Sequence, residues 1–395
     1  MSIFAQWLRS EWIIAAAAGV VMTWTSPGCA AEIIRAGTVS DGWSDLTRIE
    51  LSGKIRRGDV QKLASLIEED DSAIVFLNST GGDYREGLAL ARLIKERKVR
   101  TTLAPGVNCL SACAIAFLGG SAYGEEGSEP FARSIDITSR LAFHAPFIEV
   151  ETGTLTPQSV ERAYDHAIRT VTDFVRAAAD FGIDADVAAD MMTPQREKLY
   201  QVETVRDLRR VGVQIEKLRQ ASKLTSSMAR NLCLQGWLHD NAPSWQRAAA
   251  EMDEVIADLE WPSKSTFDIK TGYFSLDVIS AKRTVLPIAE AGEGSGHYYC
   301  LVDHAFPEGH LSADNRGFIF AESAKDAMKA ARSFDPSPSG YGQAEIEPGF
   351  SIGSIVPLNR NAWDDDLRIG IVPWDTRIQD IDAVIEAYIA SEPAL

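Results

Sequence analysis

The stretch AIVFLNSTGG, residues 73–82, joins a continuous apolar run to a polar turn that ends in two glycines. Five consecutive apolar residues, Ala73–Leu77, are typical of a strand that is buried on both faces. Beyond the glycines, Tyr84–Arg97 has the periodicity of an amphipathic helix, and Val99–Leu103 has the composition of a second strand. The order strand, loop, helix, strand predicts an α/β fold in which crossover helices connect the strands of a parallel sheet.

Similar patterns extend on both sides of this unit, as far as residue 215. Thr156 and Pro157 are residue types that start a helix and Gly182 is a typical stop, so a long helix is predicted between them. The other predicted elements are helices at Val60–Glu68, Ala112–Leu118, Asp186–Met192 and Val202–Arg210, and strands at Leu141–Phe147 and Val211–Ile215.

The chain beyond residue 216 has a less regular pattern. At 395 residues the protein is long enough for two folded units. We predict a domain over 32–216, a helical connector over 217–260 and an α+β extension of unknown function over 261–395. In that extension the predicted elements are strands at Tyr273–Ile279, His297–Val302 and Gly317–Ala321, a helix at Ser323–Ser333, and a C-terminal amphipathic helix bearing Ile378, Ile381, Ile385 and Ile389.

Composition and charge exclude several classes of protein. Hydrophobic residues make up 45% and charged residues 24% of the chain, which excludes a disordered chain, a collagen and a multi-span membrane protein. The 56 Asp and Glu residues outnumber the 39 Lys and Arg residues, which gives a formal net charge of −17. Because such a surface repels phosphate backbones and anionic headgroups, we expect neither nucleic acid nor, after removal of the leader, a membrane as a partner.

The N-terminus has the layout of a secretory signal peptide. The uncharged apolar run Ile13–Met22 is followed by Pro27-Gly28 and by the small residues Cys29-Ala30-Ala31. The run is short for a membrane span, which needs roughly 20 apolar residues. We therefore predict that 1–31 is a signal peptide and that the protein is periplasmic or secreted. An uncleaved anchor and a buried N-terminal helix are the alternatives.

Three polar features have the residue types that acyl transfer needs. Ser111 opens a small-residue helix, where backbone N–H groups are free, and a serine nucleophile needs a base such as the imidazole of His144. The Gly81-Gly82 turn can bring backbone N–H groups close to a developing oxyanion. Each feature also has a simpler interpretation: a capping serine, a core histidine and an ordinary turn.

The order and spacing of these features resemble a known family. NSTGG at 78–82, CLSACAIAFLGG at 109–120 and LAFHAPF at 141–147 are similar to the motifs of the Clp protease proteolytic-subunit family, within the ClpP/crotonase superfamily. The resemblance covers about Leu51 to Ile215 and looks nearest to exported members. Thr80 stands where the family has a proline.

The resemblance implies a ClpP/crotonase-like fold for 32–216 and an exported serine peptidase that acts on a peptide or protein substrate. Ser111 would be the nucleophile, His144 the general base, and the backbone N–H groups of Gly82 and Ala112 the oxyanion hole. A homo-oligomer is a further implication. No cofactor is implied.

The acid of the family's triad has no clear match in this sequence. Asp190 and Glu197 are the two candidates for orienting His144, and without such a partner the imidazole tautomer is not fixed. An inserted acidic stretch, Gly124–Ser139, separates the serine from the histidine and is either a lid or a longer loop.

Four cysteines follow the predicted leader, and an even number in an oxidising compartment suggests two disulfides with three possible connectivities. Cys109 and Cys113 bracket Ser111 at i, i+4, where the Cα separation in a helix, about 6 Å, fits a disulfide. Cys233 and Cys300 would then form the second bridge. A pair of buried thiols at 109 and 113 is the alternative.

The spacing of His297, Cys300, His304 and His310 matches no common structural-zinc site, so no metal site is predicted.

Two other interpretations of the function remain open. The unmatched acid favours a catalytically inactive ClpP-like binding or assembly protein as the alternative to a hydrolase. Crotonase-like chemistry on a thioester would use the same oxyanion hole but would give no role to Ser111 and His144.

Overall fold

The structure is a computed structural model. It describes residues 31–40, 44–68, 72–122, 131–146, 156–193, 198–216, 218, 221–223, 225–241, 267–273, 279–290, 297–303, 316–321 and 370–393. Glu197, the predicted helix Ser323–Ser333 and all of the predicted signal peptide except Ala31 lie outside these residues. Cys233 and Cys300 are described by their backbone alone.

Most of the predicted helices and strands in the described residues are present with shifted ends, and the strands at Asn108–Leu110, Arg133–Ile135 and Tyr200–Gln201 are not among those predicted. The strands are β1 (Glu32–Ser40), β2 (Asp45–Ser52), β3 (Ala73–Asn78), β4 (Arg100–Leu103), β5 (Asn108–Leu110), β6 (Arg133–Ile135), β7 (Arg140–Phe143), β8 (Tyr200–Gln201), β9 (Gln214–Ile215), β10 (Phe267–Tyr273), β11 (Ile279–Glu290), β12 (His297–Asp303) and β13 (Arg316–Ala321). The helices are α1 (Asp59–Leu66), α2 (Tyr84–Glu96), α3 (Ala112–Phe117), α4 (Pro157–Ala178), α5 (Ala185–Met192), α6 (Val205–Val211), α7 (Ser226–Asn241) and α8 (Ile381–Ser391).

A six-stranded sheet organises the first half of the chain. Its strand order is β1-β2-β3-β4-β6-β9, and every neighbouring pair is parallel except β1 and β2. Helix α2 connects β3 to β4, as the strand, loop, helix, strand pattern predicts. The prediction of an α/β fold with a mostly parallel sheet is confirmed.

A second, three-stranded sheet lies beside the first and positions the candidate site. Strands β5 and β7 are parallel, and β8 pairs antiparallel with β7. Strand β5 enters α3 through Ser111 alone, and β7 is followed directly by His144. The two residues therefore follow the carboxyl ends of adjacent parallel strands, where side chains converge in α/β folds.

The long helix α4 begins as predicted. Thr156 is its N-cap, and the Thr156 hydroxyl accepts a hydrogen bond from Ser159 N at 3.2 Å while Ser159 Oγ accepts one from Thr156 N at 3.0 Å. Such a reciprocal box satisfies two helix-end donors. A short 3₁₀ turn, Ala179–Phe181, extends the helix to Gly182, whose φ of 63° ends it.

The predicted loop or lid at Gly124–Ser139 is wrong over its second half. Residues 131–139 are described, and Arg133–Ile135 forms β6, an inner strand of the main sheet. Arg133 of this strand is fully buried, and a charged residue interrupts the apolar pattern by which a buried strand is predicted. The Arg133 guanidinium donates to Phe181 O at 2.7 Å and Val211 O at 2.9 Å, so it caps the C-terminal ends of two helical segments. Burial lowers the pKa of Arg133 to about 9.

The predicted strand Tyr273–Ile279 is also wrong. Tyr273 ends β10, Ile279 begins β11, and the two residues pair with each other across antiparallel strands. The two ends of one continuous strand are too far apart to pair with each other. Tyr273 and Ile279 therefore belong to two different strands. Strands β10–β13 form one four-stranded antiparallel sheet.

The C-terminal segment joins the core of the first half. Ile371, Ile381 and Ile385 belong to the same buried cluster as Ile49 of β2. Polar contacts fix the segment as well: Val205 N donates to Thr376 O at 3.0 Å, Asn231 Nδ2 to Ile371 O at 3.1 Å, and Gln235 Nε2 to Val372 O at 2.7 Å. Parts of the predicted connector and extension therefore complete a core that begins before residue 50. The domain boundary at 216 stays a prediction.

Among the helices that the structure describes, none is both long enough and apolar enough to cross a membrane.

Close contact between α2 and α3 predicts a sensitive glycine. A Cβ on Gly119 would lie 2.2 Å from Ala91 O, a backbone atom that cannot move without shifting α2. We expect Gly119→Ala to lower the free energy of unfolding by about 1–3 kcal/mol in chemical denaturation. Gly370→Ala is the matched control, since the nearest atom to its Cβ would be a flexible Leu232 methyl at 3.2 Å, and its other neighbours are also side-chain atoms, at 3.7 Å or more. Equal effects of the two variants would contradict the prediction.

Candidate functional site

A cavity of about 880 Å³ lies between the carboxyl end of β7, the glycine turn after β3 and the first half of α4. Three of the predicted site residues line it, namely Gly82, Ser111 and His144. The other lining residues are Lys54, Thr80, Asp83, Tyr84, Pro146, Ser159, Arg162, Ala163, His166, Ala167 and Thr170. The structure therefore brings the predicted nucleophile, base and oxyanion glycine to one concave surface.

Ser111 occupies a backbone conformation that serine rarely adopts. Its φ is 56° and its ψ is −123°, between the last residue of β5 and the first residue of α3. Such a conformation costs a non-glycine residue about 1–3 kcal/mol and persists only where its surroundings impose it. Here Ser111 N donates to Ala142 O of β7 at 2.9 Å. A sharp strand-to-helix turn of this kind presents a side-chain hydroxyl at the end of a sheet.

A disulfide between Cys109 and Cys113 closes around this turn. The prediction of that pair is confirmed, but the reason differs from the expected helical spacing. Cys109 lies in β5 and Cys113 in α3, and the turn at Ser111 brings their Cα atoms to 5.1 Å. The bridge therefore links the strand to the helix on either side of the serine. The predicted pair Cys233 and Cys300 lies outside the described side chains.

The glycine turn lies against the serine at very short range. A Cβ on Gly81 would be 2.7 Å from Ser111 Cβ and 3.2 Å from Ala112 N, and Gly81 has a φ of 99°. Both the space and the conformation therefore require glycine at position 81. Ser79 Oγ accepts from Gly81 N at 3.0 Å, which fixes the turn from within.

Ile55 orients Gly82, a role that sequence patterns did not reveal. Ile55 N donates to Gly81 O and Asp83 N donates to Ile55 O, both at 2.9 Å. In such a parallel bridge the middle residue, Gly82, directs its own N–H away from Ile55. No group in the described part of the chain accepts a hydrogen bond from the N–H of Gly82 or of Ala112. Within the described residues, both N–H groups therefore lack an acceptor.

The His144 ring is oriented by a backbone carbonyl. Its Nδ1 lies 2.6 Å from Ala145 O, and a carbonyl oxygen can only accept, so the neutral ring carries its proton on Nδ1. The other nitrogen, Nε2, is then the acceptor. That tautomer is the one a general base needs, and His144 is largely buried.

Asp190, one of the two predicted acids, has a different partner. Its carboxylate pairs with Arg210 at 2.5 Å, and Asp190 does not line the cavity. Arg210 also donates to the Tyr200 hydroxyl at 3.3 Å, and burial raises the pKa of Tyr200 to about 12. Asp190 therefore belongs to a cluster around β8. Glu197, the other candidate, lies outside the described residues.

Helix α4 supplies lining residues that sequence analysis missed. Arg162, His166 and Thr170 recur at helical spacing and face the cavity. The sequence indicates that these positions share a helix face, but only the tertiary contacts show that this face borders the predicted nucleophile.

Comparison with known proteins gives little further information. No family model and no curated protein matches the chain. Among solved structures, a ClpP1 mutant from Listeria monocytogenes matches with 17% sequence identity and a TM-score of 0.31. That match covers 44% of this chain and 92% of the other. The suggested family therefore stays a prediction.

The conformation of Ser111 predicts a stability difference between two variants at this position. Glycine tolerates a φ of 56° with a ψ of −123°, whereas alanine does not. We expect Ser111→Gly to have a free energy of unfolding about 1–2 kcal/mol above that of Ser111→Ala. Denaturant titration of the two variants measures this difference, and a more stable alanine variant would contradict the backbone geometry.

The disulfide predicts a redox effect on stability. Closing so short a loop contributes about 2 kcal/mol in the chain-entropy estimate. We expect a reducing agent to lower the free energy of unfolding by about that amount. The double variant Cys109→Ala/Cys113→Ala is the control, and its response to the reducing agent should be smaller by that amount, because only the predicted Cys233–Cys300 bridge remains. An equal response in the control would assign the effect to another site.

Proposed function

We propose that the protein is an exported serine hydrolase that cleaves peptide bonds, with a ClpP-like arrangement of residues 32–216. The observation that carries this proposal is the strained turn at Ser111, whose side chain shares one cavity with His144 and Gly82. Serine gains nothing structurally from a φ of 56°, so the conformation needs another reason. Presentation of the hydroxyl to a substrate supplies that reason.

The proposed reaction begins with proton transfer from Ser111 Oγ to His144 Nε2. Oγ attacks the carbonyl carbon, and the developing oxyanion accepts hydrogen bonds from the N–H groups of Gly82 and Ala112. The tetrahedral intermediate collapses as His144 returns the proton to the leaving amine. Water then hydrolyses the acyl-enzyme by the same steps, and Ser111 is restored.

Orientation of the imidazole by Ala145 O is part of this proposal. In a Ser-His-Asp triad a carboxylate fixes the tautomer and stabilises the imidazolium that forms. A carbonyl fixes the tautomer in the same way, but it supplies a dipole and no full charge.

The chemistry of the cavity supports a peptide as substrate. It lies in the range of volumes that enclose a ligand of several residues, and its lining mixes backbone, hydroxyl and charged groups. Among the described lining residues, Lys54 and Arg162 are cations and Asp83 is an acid. A peptide with an acidic or neutral side chain near the scissile bond fits this lining best.

Export is a separate part of the proposal. It is supported by the apolar run at Ile13–Met22 and by the Cys109–Cys113 disulfide, since disulfides persist in oxidising compartments. The proposed location is the periplasm or the medium.

A fluorophosphonate probe tests the proposed nucleophile. We expect the probe to label the wild type at Ser111, as located by peptide mass spectrometry, and to leave Ser111→Ala unlabelled. His144→Ala should slow labelling by a factor of about 10²–10⁴, because the base is lost. His166→Ala is the matched control, since His166 lines the same cavity without a role in the reaction. A folded wild type that is not labelled rejects the proposal.

A non-catalytic binding protein is the second candidate. One observation favours it: Asp190 is engaged by Arg210 and does not line the cavity. This candidate predicts that Ser111→Ala binds the same peptides as the wild type and that neither protein cleaves them. A peptide library incubated with each protein and analysed by mass spectrometry tests this candidate. Cleavage by the wild type but not by Ser111→Ala would reject it.

A further inference from the structure

A buried carboxylate holds the backbone of Ala31. Asp59, the first residue of α1, has a fully buried side chain, and its Oδ2 lies 3.3 Å from Ala31 N. The same oxygen accepts from Arg56 N at 2.8 Å, and Oδ1 lies 2.9 Å from Lys62 Nζ. The Asp59 carboxylate thus accepts hydrogen bonds from Ala31 N, Arg56 N and the Lys62 ammonium group.

Every part of Ala31 has a partner in the fold. Lys62 Nζ donates to Ala31 O at 3.3 Å, and the alanine is 3% exposed within the main hydrophobic core. Gly53 lies beside it, where a Cβ would stand 4.0 Å from Ala31 Cα. The nitrogen, the carbonyl and the methyl group are all held, as in a site built for one particular residue.

The charges around Asp59 leave room for a second cation. A buried carboxylate is retained where it is paired and fully hydrogen-bonded. Lys62 supplies one positive charge, but its side chain is about half exposed, at 47%. At the position of Ala31 N an amide contributes only a dipole, whereas an α-ammonium group there would contribute a full charge next to Oδ2.

The sequence has a processing signal at the same point. Gly28 and Ala30 stand three residues and one residue before the Ala30–Ala31 bond, and small residues at these two positions are what signal peptidases require. Hydrolysis of this bond consumes one water, leaves a carboxylate on Ala30 and leaves an amine on Ala31.

We infer that a signal peptidase cleaves the Ala30–Ala31 bond and that the new α-ammonium group of Ala31 forms an ion pair with Asp59 inside the folded protein. The inference rests on the export part of the proposed function. It moves the predicted end of the leader from 31 to 30, because cleavage after Ala31 would remove the residue that fills this site.

The ion pair lies close in the chain to the candidate active site. Asp59 accepts from Arg56, and the preceding residue, Ile55, holds the Gly81-Gly82 turn. Glu86 of α2 closes the same region, since its Oε1 accepts from Gly58 N at 3.0 Å and Val60 N at 2.7 Å. Processing therefore places a charge next to Asp59, at one end of the segment 55–59. Ile55, at the other end, orients the proposed oxyanion hole.

The first test is the identity of the mature N-terminus. The full chain, with a purification tag at its C-terminus, is expressed in an exporting bacterium and recovered from the periplasm or medium for intact mass measurement and N-terminal sequencing. We expect Ala31 as the first residue. Glu32, or an uncleaved chain, overturns the inference. The result is independent of Ser111: a chain that begins at Ala31 but resists fluorophosphonate rejects the peptidase alone.

The second test measures the ion pair itself. Two proteins that end at Leu395 and begin at Ala31 or at Ala30 are released from a fusion partner without a scar. We expect the protein that begins at Ala31 to melt about 2–4 °C higher, and Asp59→Asn to abolish this difference. Asp165→Asn is the matched control, since Asp165 pairs with Arg169 on the surface at 3.9 Å, and it should leave the difference intact.

Chemical acetylation of the α-amino group covers the case in which Asp59→Asn does not fold. Acetylation confined to the α-amino group, with mass spectrometry showing that Lys62 is unmodified, removes only that charge, so it should lower the melting temperature of the protein that begins at Ala31 by the same amount. Equal melting temperatures for the two start points, or a difference that survives Asp59→Asn, overturn the ion pair.

Discussion

A backbone hydrogen-bond ladder across three loops is the constraint on which the rest of the site depends. Ile55 pairs with Gly82, Ser79 pairs with Cys109, and Ser111 N donates to Ala142 O. Because these bonds join main-chain atoms, they fix the glycine turn, the serine turn and the histidine strand without help from long side chains. Loops that would otherwise be the mobile part of an α/β fold become an extension of its sheets.

Small residues make this ladder possible, because they let the turns and helices around the site approach at backbone distance. Gly87 lies so close to Ala112 that a Cβ would stand 2.4 Å from Ala112 O, and a Cβ on Gly81 would stand 2.7 Å from Ser111 Cβ. Helices α2 and α3 therefore approach at backbone distance, and the disulfide closes the remaining side. Donors that are fixed in this way stabilise a developing charge without reorganising, which is the main source of electrostatic catalysis.

Local chemistry made part of this structure predictable. Thr156 could be placed as a helix cap because its residue type and its neighbours suffice. Arg133 could not be placed in a strand, since its burial depends on two carbonyls that are distant in the sequence. For the same reason the sequence did not identify Ile55 as the residue that orients Gly82, nor Arg210 as the partner of Asp190. Roles that follow from neighbours in the chain are predictable, whereas roles that follow from tertiary contacts need the fold.

The central claim is that the turn at Ser111 and the N–H groups of Gly82 and Ala112 form one acyl-transfer site. The crystal structure of a complex with a peptide boronate tests it most directly, because a tetrahedral boron imitates the intermediate. We expect a covalent bond from boron to Ser111 Oγ, with one boronate oxygen about 2.7–3.1 Å from the backbone nitrogens of both Gly82 and Ala112. A boronate bound elsewhere, or one whose oxygens contact neither nitrogen, would contradict the claim.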